Sequence, residues 1–465
     1  MEATLNKWID AHSEEMLQTI RELVKIPSVI GEPEDGAPFG KEIRKALDKV
    51  LEISEGMGFT VQNYDGYAGS IELKAGEKEI GILSHIDIVP AGNESDWEYP
   101  PFEARQVGSR MIGRGVVDDK GPMVAAIFAM RAIKESGLPI KNTICHIIGT
   151  DEETGHRGVA YYLTKREQPW GGFSPDANFP VIHGEKGIMR FTIDKTWNEA
   201  PEGPIRLESI EGGTVLNAVP AKVVAVLRCS EEGKAAVKAA AEAASNPDVT
   251  FAADGDCVTL SASGVTSHAM QPWEGDNAIQ KLLPVLAGLD LGIYSPWINS
   301  LAKLFGGDWT GKNLGIACED QLSGPLTCNF STMKLENNQA KCGFDIRYPI
   351  HIDGEVLWKT VNMTCEENGL AICPVRRKGA LYVPKSAPLV RTLLSVYNEF
   401  MGADEKPIVI GGGTYCRDVT NFVSFGPVFP DEKETAHNAN EFAEVDRLII
   451  TAKIYAQALY LLAKE

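Results

Sequence analysis

No Cys-x-x-Cys pair occurs in this 465-residue chain, whose nine cysteines (Cys145, Cys229, Cys257, Cys318, Cys328, Cys342, Cys365, Cys373 and Cys416) are odd in number and scattered. A disulfide framework is therefore not expected, and reduced thiols in a cytoplasmic protein are. Positive charge is also scarce. Lys and Arg number 45 against 64 Asp and Glu, a net charge of −19, and no basic run stands out. Nucleic acid and anionic membranes are thus poor partners for this surface. No apolar stretch approaches the length of a bilayer span. Residues Met1 to Lys7 lack the basic-then-apolar pattern of a signal peptide. Internal repeats, heptad arrays and low-complexity segments are missing too.

What remains has the composition of an ordinary globular enzyme, 44% hydrophobic and 23% charged. The length is large for one core and predicts two domains. Apolar residues recur at helical spacing from Leu5 to Val24 and again from Ile43 to Leu51. Short strands are predicted at 60–63, 70–73 and 79–83. The last, Ile80-Gly81-Ile82-Leu83, is a buried-strand run that delivers Ser84-His85-Ile86-Asp87 at its C-terminal end, where open α/β sheets place ligands. A further core strand, Thr143 to Ile148, ends in Gly149-Thr150-Asp151-Glu152-Glu153-Thr154-Gly155.

From about Lys186 strands and helices alternate in a different texture, up to about Leu381. The closing part predicts a helix over 388–401, strands over 407–410 and 422–425, and a helix over 441–462. The expected architecture is α/β: a doubly wound mixed sheet forming a catalytic domain in two pieces, 1–185 and 382–465, interrupted by an α+β lid domain, 186–381.

Chemistry concentrates on Gly113-Arg114-Gly115-Val116-Val117-Asp118-Asp119-Lys120-Gly121-Pro122, a glycine-punctuated loop that launches the apolar helix beginning near Met123. Pro122 suits a first helical turn, where an N–H is dispensable. Two adjacent carboxylates beside a buried helix are costly unless a cation neutralises them. Taken singly, each candidate ligand has a structural reading. His85 could be a satisfied core histidine, although Asp87, two residues on, points to the same side and could accept from its ring N–H, as carboxylates beside metal-bound histidines usually do. Asp118 and Asp119 could close their own turn. Glu152 and Glu153 could decorate a helix N-terminus, and His437 could merely precede the last helix. Jointly these readings weaken, because His85, Asp118, Glu152/Glu153 and Asp176 follow successive strands or their loops. Imidazole and carboxylate donors without thiolate suit zinc, manganese or cobalt in a catalytic site.

His85-x-Asp87, the Gly113 to Gly121 loop, Asp151-Glu152-Glu153-Thr154-Gly155 and the late His437 together resemble the co-catalytic metallopeptidases that include carnosinases, aminoacylases and glutamate carboxypeptidases. Ser174-Pro175-Asp176, Gly184-Glu185-Lys186-Gly187, Asn217-Ala218-Val219-Pro220 and Gly411-Gly412-Gly413-Thr414-Tyr415 bring the resemblance nearest to the PepV-type bacterial dipeptidases. The resemblance implies two divalent cations per chain, zinc first, with manganese or cobalt as alternatives. Asp118 would bridge them, His85 and Asp176 would complete one site, and Glu153 and His437 the other. Glu152 would be the general base, moving a proton from the attacking water to the leaving amine, and Asp87 would orient His85. A cis peptide before Asp119 is implied as well.

In the inserted module, Gly264-Val265-Thr266-Ser267-His268-Ala269-Met270 resembles the family's lid motif, so His268 would donate to the oxyanion. Arg347 is placed either to fork onto the substrate carboxylate, with Asn217 assisting, or to pair with Asp345. The glycine run is not a phosphate loop, because no Gly-Lys-Ser/Thr follows. Backbone N–H groups of Gly412, Gly413 and Thr414 are expected to face the substrate instead. Cys416 is read as a packing residue.

These expectations describe a metal-dependent dipeptidase acting on unblocked dipeptides, β-Ala dipeptides such as carnosine included. The rivals are an N-acyl-amino-acid deacylase and a non-catalytic peptide-binding protein. The insertion is long enough to supply the lid histidine within one chain, which favours a monomer.

Overall fold

The computed structural model describes residues 1–465. They form two compact units, one comprising Met1–Gly184, Tyr382–Ile408 and Gly413–Glu465, the other Glu185–Leu381 and Val409–Gly412. The fold is mixed α/β.

The first unit is built on a mixed sheet. Strands β1 (Thr60–Tyr64), β2 (Ala68–Leu73), β3 (Glu79–His85), β4 (Thr143–Gly149), β5 (Gly171–Ser174) and β6 (Phe422–Ser424) lie in the order β1-β2-β4-β3-β5-β6. Ile182–Glu185 follows β6 in this order. β3 runs parallel to both β4 and β5, and β5 is parallel to β6, whereas the β1/β2 and β2/β4 pairs are antiparallel. Parallel strands covered on both faces need apolar side chains at every position. That is why Ile80-Gly81-Ile82-Leu83 reads as an unbroken apolar run and Ile144-Cys145-His146-Ile147-Ile148 as one interrupted only by His146, all of them buried. The register sets His85 opposite Gly149, so both strands end at the same edge.

Helix α1 (Lys120–Glu135) is buried over almost its whole circumference, as its apolar composition on every face requires, and Pro122 sits in its first turn. It packs with the C-terminal helix α3 (Val445–Ala463), and Val124, Phe128 and Leu459 from the two helices are buried in the first core.

Two expectations change. The Leu5 to Val24 pattern is two helices, Glu2–Ala11 and Ser13–Val24, broken at His12, whose φ is −112°. Its ring stacks on Trp8 at 3.8 Å and its Nδ1 lies 2.8 Å from the Trp8 carbonyl, a local side-chain bond that competes with helix continuation. The last helix starts at Val445 rather than 441, because Phe442–Glu444 is a strand paired antiparallel with Arg110–Ile112.

The second unit is an eight-stranded antiparallel sheet with helices, an α+β arrangement. Its order runs Val249–Asp254, Cys257–Ser263, Lys222–Cys229, Ile205–Gly212, Thr327–Glu336, Gln339–Tyr348, Gly187–Thr196 and Ile372–Lys378. Lys222–Cys229 alternates exposed or half-buried with buried positions, the period-two signature of a sheet with one face on a core. Ile279, Leu282, Leu283 and Ile298 supply the helical side of that core. No helix in the molecule is long and apolar enough to cross a membrane.

Candidate active site

The parallel strands deliver the candidate ligands to one edge of the first sheet. His85 is the last residue of β3, Glu152 and Glu153 follow β4, and Asp176 follows β5. Asp118 stands in the loop that precedes α1, joined to Asp119 by a cis peptide. His437 reaches the same place from the loop before Phe442–Glu444.

There five of these side chains form two groups sharing one member, with Glu152 in neither. His85, Asp118 and Asp176 present donor atoms within 4.8 Å of one another, as do Asp118, Glu153 and His437. Asp118 divides its oxygens between them: Oδ1 is 2.9 Å from His85 Nε2 and Oδ2 is 2.9 Å from His437 Nε2. Asp176 Oδ2 lies 3.6 Å from His85 Nε2, and Glu153 Oε1 3.1 Å from His437 Nε2. Burial would raise Asp118, but its bonds to His437 and His85 hold it far below the usual carboxylate range. Asp176 is pushed up to about 6 and Glu153 to about 7, in each case by burial and then by the Asp118 charge. Crowded, partly desolvated carboxylates with two ring nitrogens aimed among them are a donor set that positive charge would relieve. The residues fit two divalent cations with hard or borderline preferences and a shared carboxylate.

The surrounding bonds differ in one respect from the sequence reading. His85 Nδ1 faces the backbone carbonyl of Asp87 at 2.9 Å, with the Asp87 carboxylate further away at 3.5 Å. That carboxylate instead accepts the backbone N–H groups of Glu152 and Glu153, each at 3.1 Å. Asp87 therefore orients the histidine through its main chain and the glutamate turn through its side chain. Asp119 Oδ2 accepts the His85 N–H at 3.0 Å, while its Oδ1 is buried without a partner.

The remaining sequence-predicted residues fall elsewhere. His268, Asn217, Arg347 and Gly412 belong to the second unit. His268 Nδ1 accepts the Met270 N–H at 3.0 Å, and burial followed by the Arg347 charge lowers its pKa. Asn217 gives its carbonyl to the Ala269 N–H. Arg347 is 2% exposed and forks onto Asp345, Nε to Oδ1 at 2.5 Å and Nη2 to Oδ2 at 3.0 Å, while Nη1 donates to the Gly411 carbonyl. The pairing reading of Arg347 is thus realised. Gly413 and Thr414 belong to the first unit, where Thr414 Oγ1 accepts the Cys416 N–H and caps the turn Tyr415–Asp418.

Sequence reasoning missed several participants. Glu441, fully buried, pairs with Arg114 at 2.6 Å and accepts the N–H groups of Gly115 at 3.0 Å and Val117 at 2.9 Å, so it shapes the loop that presents Asp118. His156 meets Glu152, and Asp418 pairs with the far side of the His156 ring. Glu441 was visible as an acid four residues past His437, yet nothing local distinguishes it from a helix-opening carboxylate. His156 carried no signal, since it sits in a turn whose spacing has no fixed meaning.

Comparison with known proteins gives a consistent pattern. Residues 81–461 match the model of peptidase family M20/M25/M40. "Putative dipeptidase YtjP" of Bacillus subtilis strain 168 is 36% identical over 459 residues, covering 97% of this chain and 98% of that protein. The Beta-Ala-Xaa dipeptidase of Lactobacillus delbrueckii subsp. lactis is 34% identical over 481 residues, covering 100% and 99%. Among solved structures, human carnosine dipeptidase 1 shares the fold with a TM-score of 0.63 at 15% identity, covering 100% of this chain and 99% of that one.

Proposed function

The chain belongs to peptidase family M20/M25/M40 and is a metallohydrolase, and we propose that it is a dipeptidase hydrolysing unblocked dipeptides, with β-Ala dipeptides among its substrates. The observation that carries the reading is the division of Asp118 between two donor groups, each completed by a histidine and a second carboxylate. Relatives named as dipeptidases align with nearly the whole chain.

His85, Asp118 and Asp176 would hold one divalent cation, and Asp118, Glu153 and His437 a second, zinc being the first candidate. When bound, the cations would acidify a water and polarise the scissile carbonyl. Glu152 is the general base. It takes a proton from the attacking water and passes it to the departing amine, so that the peptide bond breaks with one water consumed. Asp87 holds the Glu152 and Glu153 main chain in place for this. From the second unit, His268 is proposed to donate to the developing oxyanion. Arg347 and Asn217, with the backbone of Gly412, Gly413 and Thr414, are proposed to recognise the substrate carboxylate. The protein is proposed to act as a monomer in the cytoplasm.

The deciding experiment follows amino-acid release from Ala-Ala, β-Ala-His, a tripeptide and N-acetyl-Ala, using chelator-stripped protein supplied with zinc, manganese or cobalt. Metal-restored turnover of the dipeptides alone is expected. Turnover of N-acetyl-Ala alone would make the protein a deacylase, and silence throughout with metal bound would make it a binding protein.

A further inference from the structure

Glu152 is held at its main chain by Asp87, but a general base must also present its carboxylate at a fixed angle, and a glutamate side chain has three rotatable bonds with which to lose it. What lies behind that carboxylate is His156. The turn after β4 is drawn tight by Asp151, whose carbonyl accepts the N–H groups of Gly155 at 3.2 Å and His156 at 2.6 Å, and whose carboxylate gathers Arg157 through its backbone N–H at 3.0 Å and its Nε at 2.7 Å. His156 is thereby set in the left-handed conformation, φ 62°, at the start of helix α2 (Arg157–Lys165). A β-carbon disfavours that conformation, so the turn spends local stability to direct this ring.

The ring is directed at Glu152. His156 Nε2 lies 3.3 Å from Glu152 Oε1, and the opposite nitrogen, Nδ1, is hydrogen-bonded to Asp418 Oδ2. Asp418 comes from a distant part of the chain, at the end of the turn Tyr415–Asp418 capped by Thr414. The same turn sets the Tyr415 ring edge-on against His156, 4.8 Å between centroids at 83°. Only 5% of His156 is exposed, so water does not loosen the array. With a carboxylate on each side, the imidazole donates an N–H to both. Burial works against its protonation, and the bonds to Asp418 and Glu152 outweigh that, raising its pKa.

We infer that His156, clamped by Asp418, is the positioning residue of the general base: its Nε2–H grips one oxygen of Glu152 and leaves the other to meet the attacking water. This rests on the assignment of Glu152 as the base. His156 does not itself exchange protons with substrate. Its contribution is the orientation of a group it touches, delivered by two chain segments that meet only in the folded protein. The glycine-rich Gly411 to Tyr415 segment acquires a second purpose here, because the turn it leads into carries Asp418 to the ring.

The experiment uses full-length protein loaded with zinc or manganese and compares wild type with His156→Ala, His156→Gln, Asp418→Asn, Glu152→Gln and the Glu152→Gln/His156→Ala double variant. Four quantities are read: kcat and KM on Ala-Ala, bound metal by elemental analysis, and the melting temperature of the metal-free protein. His156→Ala is expected to lower kcat about 10- to 100-fold with KM nearly unchanged and both cations retained. His156→Gln, whose amide N–H can still reach Glu152, should recover part of that loss, and Asp418→Asn should fall between. The double variant should be no slower than Glu152→Gln alone, since the grip has nothing left to position.

A His156→Ala enzyme within about twofold of wild-type kcat, beside an inactive Glu152→Gln, would overturn the positioning role while leaving the base assignment intact. Losses that multiply in the double variant, or that track metal loss or a lowered melting temperature in both His156 variants, would also overturn it. A Glu152→Gln enzyme with wild-type kcat would instead overturn the base assignment, and the positioning role with it.

Discussion

Arg114 and Glu441, 327 positions apart in the chain, meet at 2.6 Å with 2% and 0% of their side chains exposed. The pair does more than neutralise itself. The other Glu441 oxygen accepts the N–H groups of Gly115 and Val117, so the carboxylate acts as a template for the loop that ends in Asp118. Four residues before Glu441 is His437, whose Nε2 faces the far oxygen of the same Asp118. One short segment therefore supplies a candidate ligand and also shapes the loop bearing the shared one.

Removing Glu441 should accordingly be felt twice. Glu441→Ala leaves Arg114 buried without its partner, and a loss of about 3–5 kcal/mol of stability is expected. Metal affinity should fall as well, because the N–H groups of Gly115, Val117 and Asp118 lose their Glu441 acceptor. Denaturant unfolding and a zinc titration monitor the two effects, and a variant that unfolds earlier yet binds metal as wild type would show that the loop does not need this template.

Asp118 and His437 should differ in how many cations they govern. Asp118→Ala removes the only carboxylate common to both donor groups, so both equivalents of metal should be weakened, whereas His437→Ala should still retain about one. Elemental analysis after dialysis against micromolar zinc reads this directly. Equal stoichiometry in the two variants would argue against a shared Asp118.

His146 supplies a prediction remote from catalysis. It is fully buried in β4, its Nε2 2.8 Å from Ser84 Oγ and its Nδ1 without a partner, and burial pushes its pKa down to about 3 from an ordinary 6.5. Between those values the unfolded chain binds the additional proton, so stability falls as pH is lowered, by up to about 1.4 kcal/mol per pH unit, with no slope from this group above 6.5 or below 3. Urea unfolding in chelator at pH 7, 6 and 5 should show a flatter dependence for His146→Gln. Parallel curves would mean that another group carries the acid sensitivity.

Arg347 has two duties under the proposed function, and its removal should separate them. Asp345 is completely buried between Arg347 and Arg190, the latter at 2.7 Å, and both guanidinium groups outweigh burial to keep its carboxyl below the usual range. Arg347→Ala should cost about 3 kcal/mol of stability by leaving that carboxylate to Arg190 alone, and should raise KM more than it lowers kcat. A destabilised variant with unchanged KM would confine Arg347 to pairing with Asp345.

Much of the fold could be read from local pattern because the relevant physics is local. Ile80 to Leu83 is a continuous apolar run and Ile144 to Ile148 is apolar but for the buried His146, as strands covered on both faces tend to be, and Lys222 to Cys229 alternates as a one-sided strand must. The break at His12 and the late start of the last helix were not legible. The first turns on a side chain bonding its own backbone, His12 to the Trp8 carbonyl, and the second on Phe442–Glu444 pairing with Arg110–Ile112; hydrophobic spacing reports neither.

By itself the sequence determined which residue types stand at the strand ends, and hence that imidazole and carboxylate, not thiolate, would gather at one edge of a parallel sheet. That follows because strand direction carries every C-terminal end to the same side. Only the tertiary structure decided how those groups are held. It showed that Asp87 uses its carbonyl for His85 and its carboxylate for the glutamate turn, that Glu441 templates the Asp118 loop, and that Asp418 reaches His156 behind Glu152. The physical reason is range: a ligand's chemistry belongs to its side chain, while its support comes from buried polar groups that need partners wherever the chain happens to bring them.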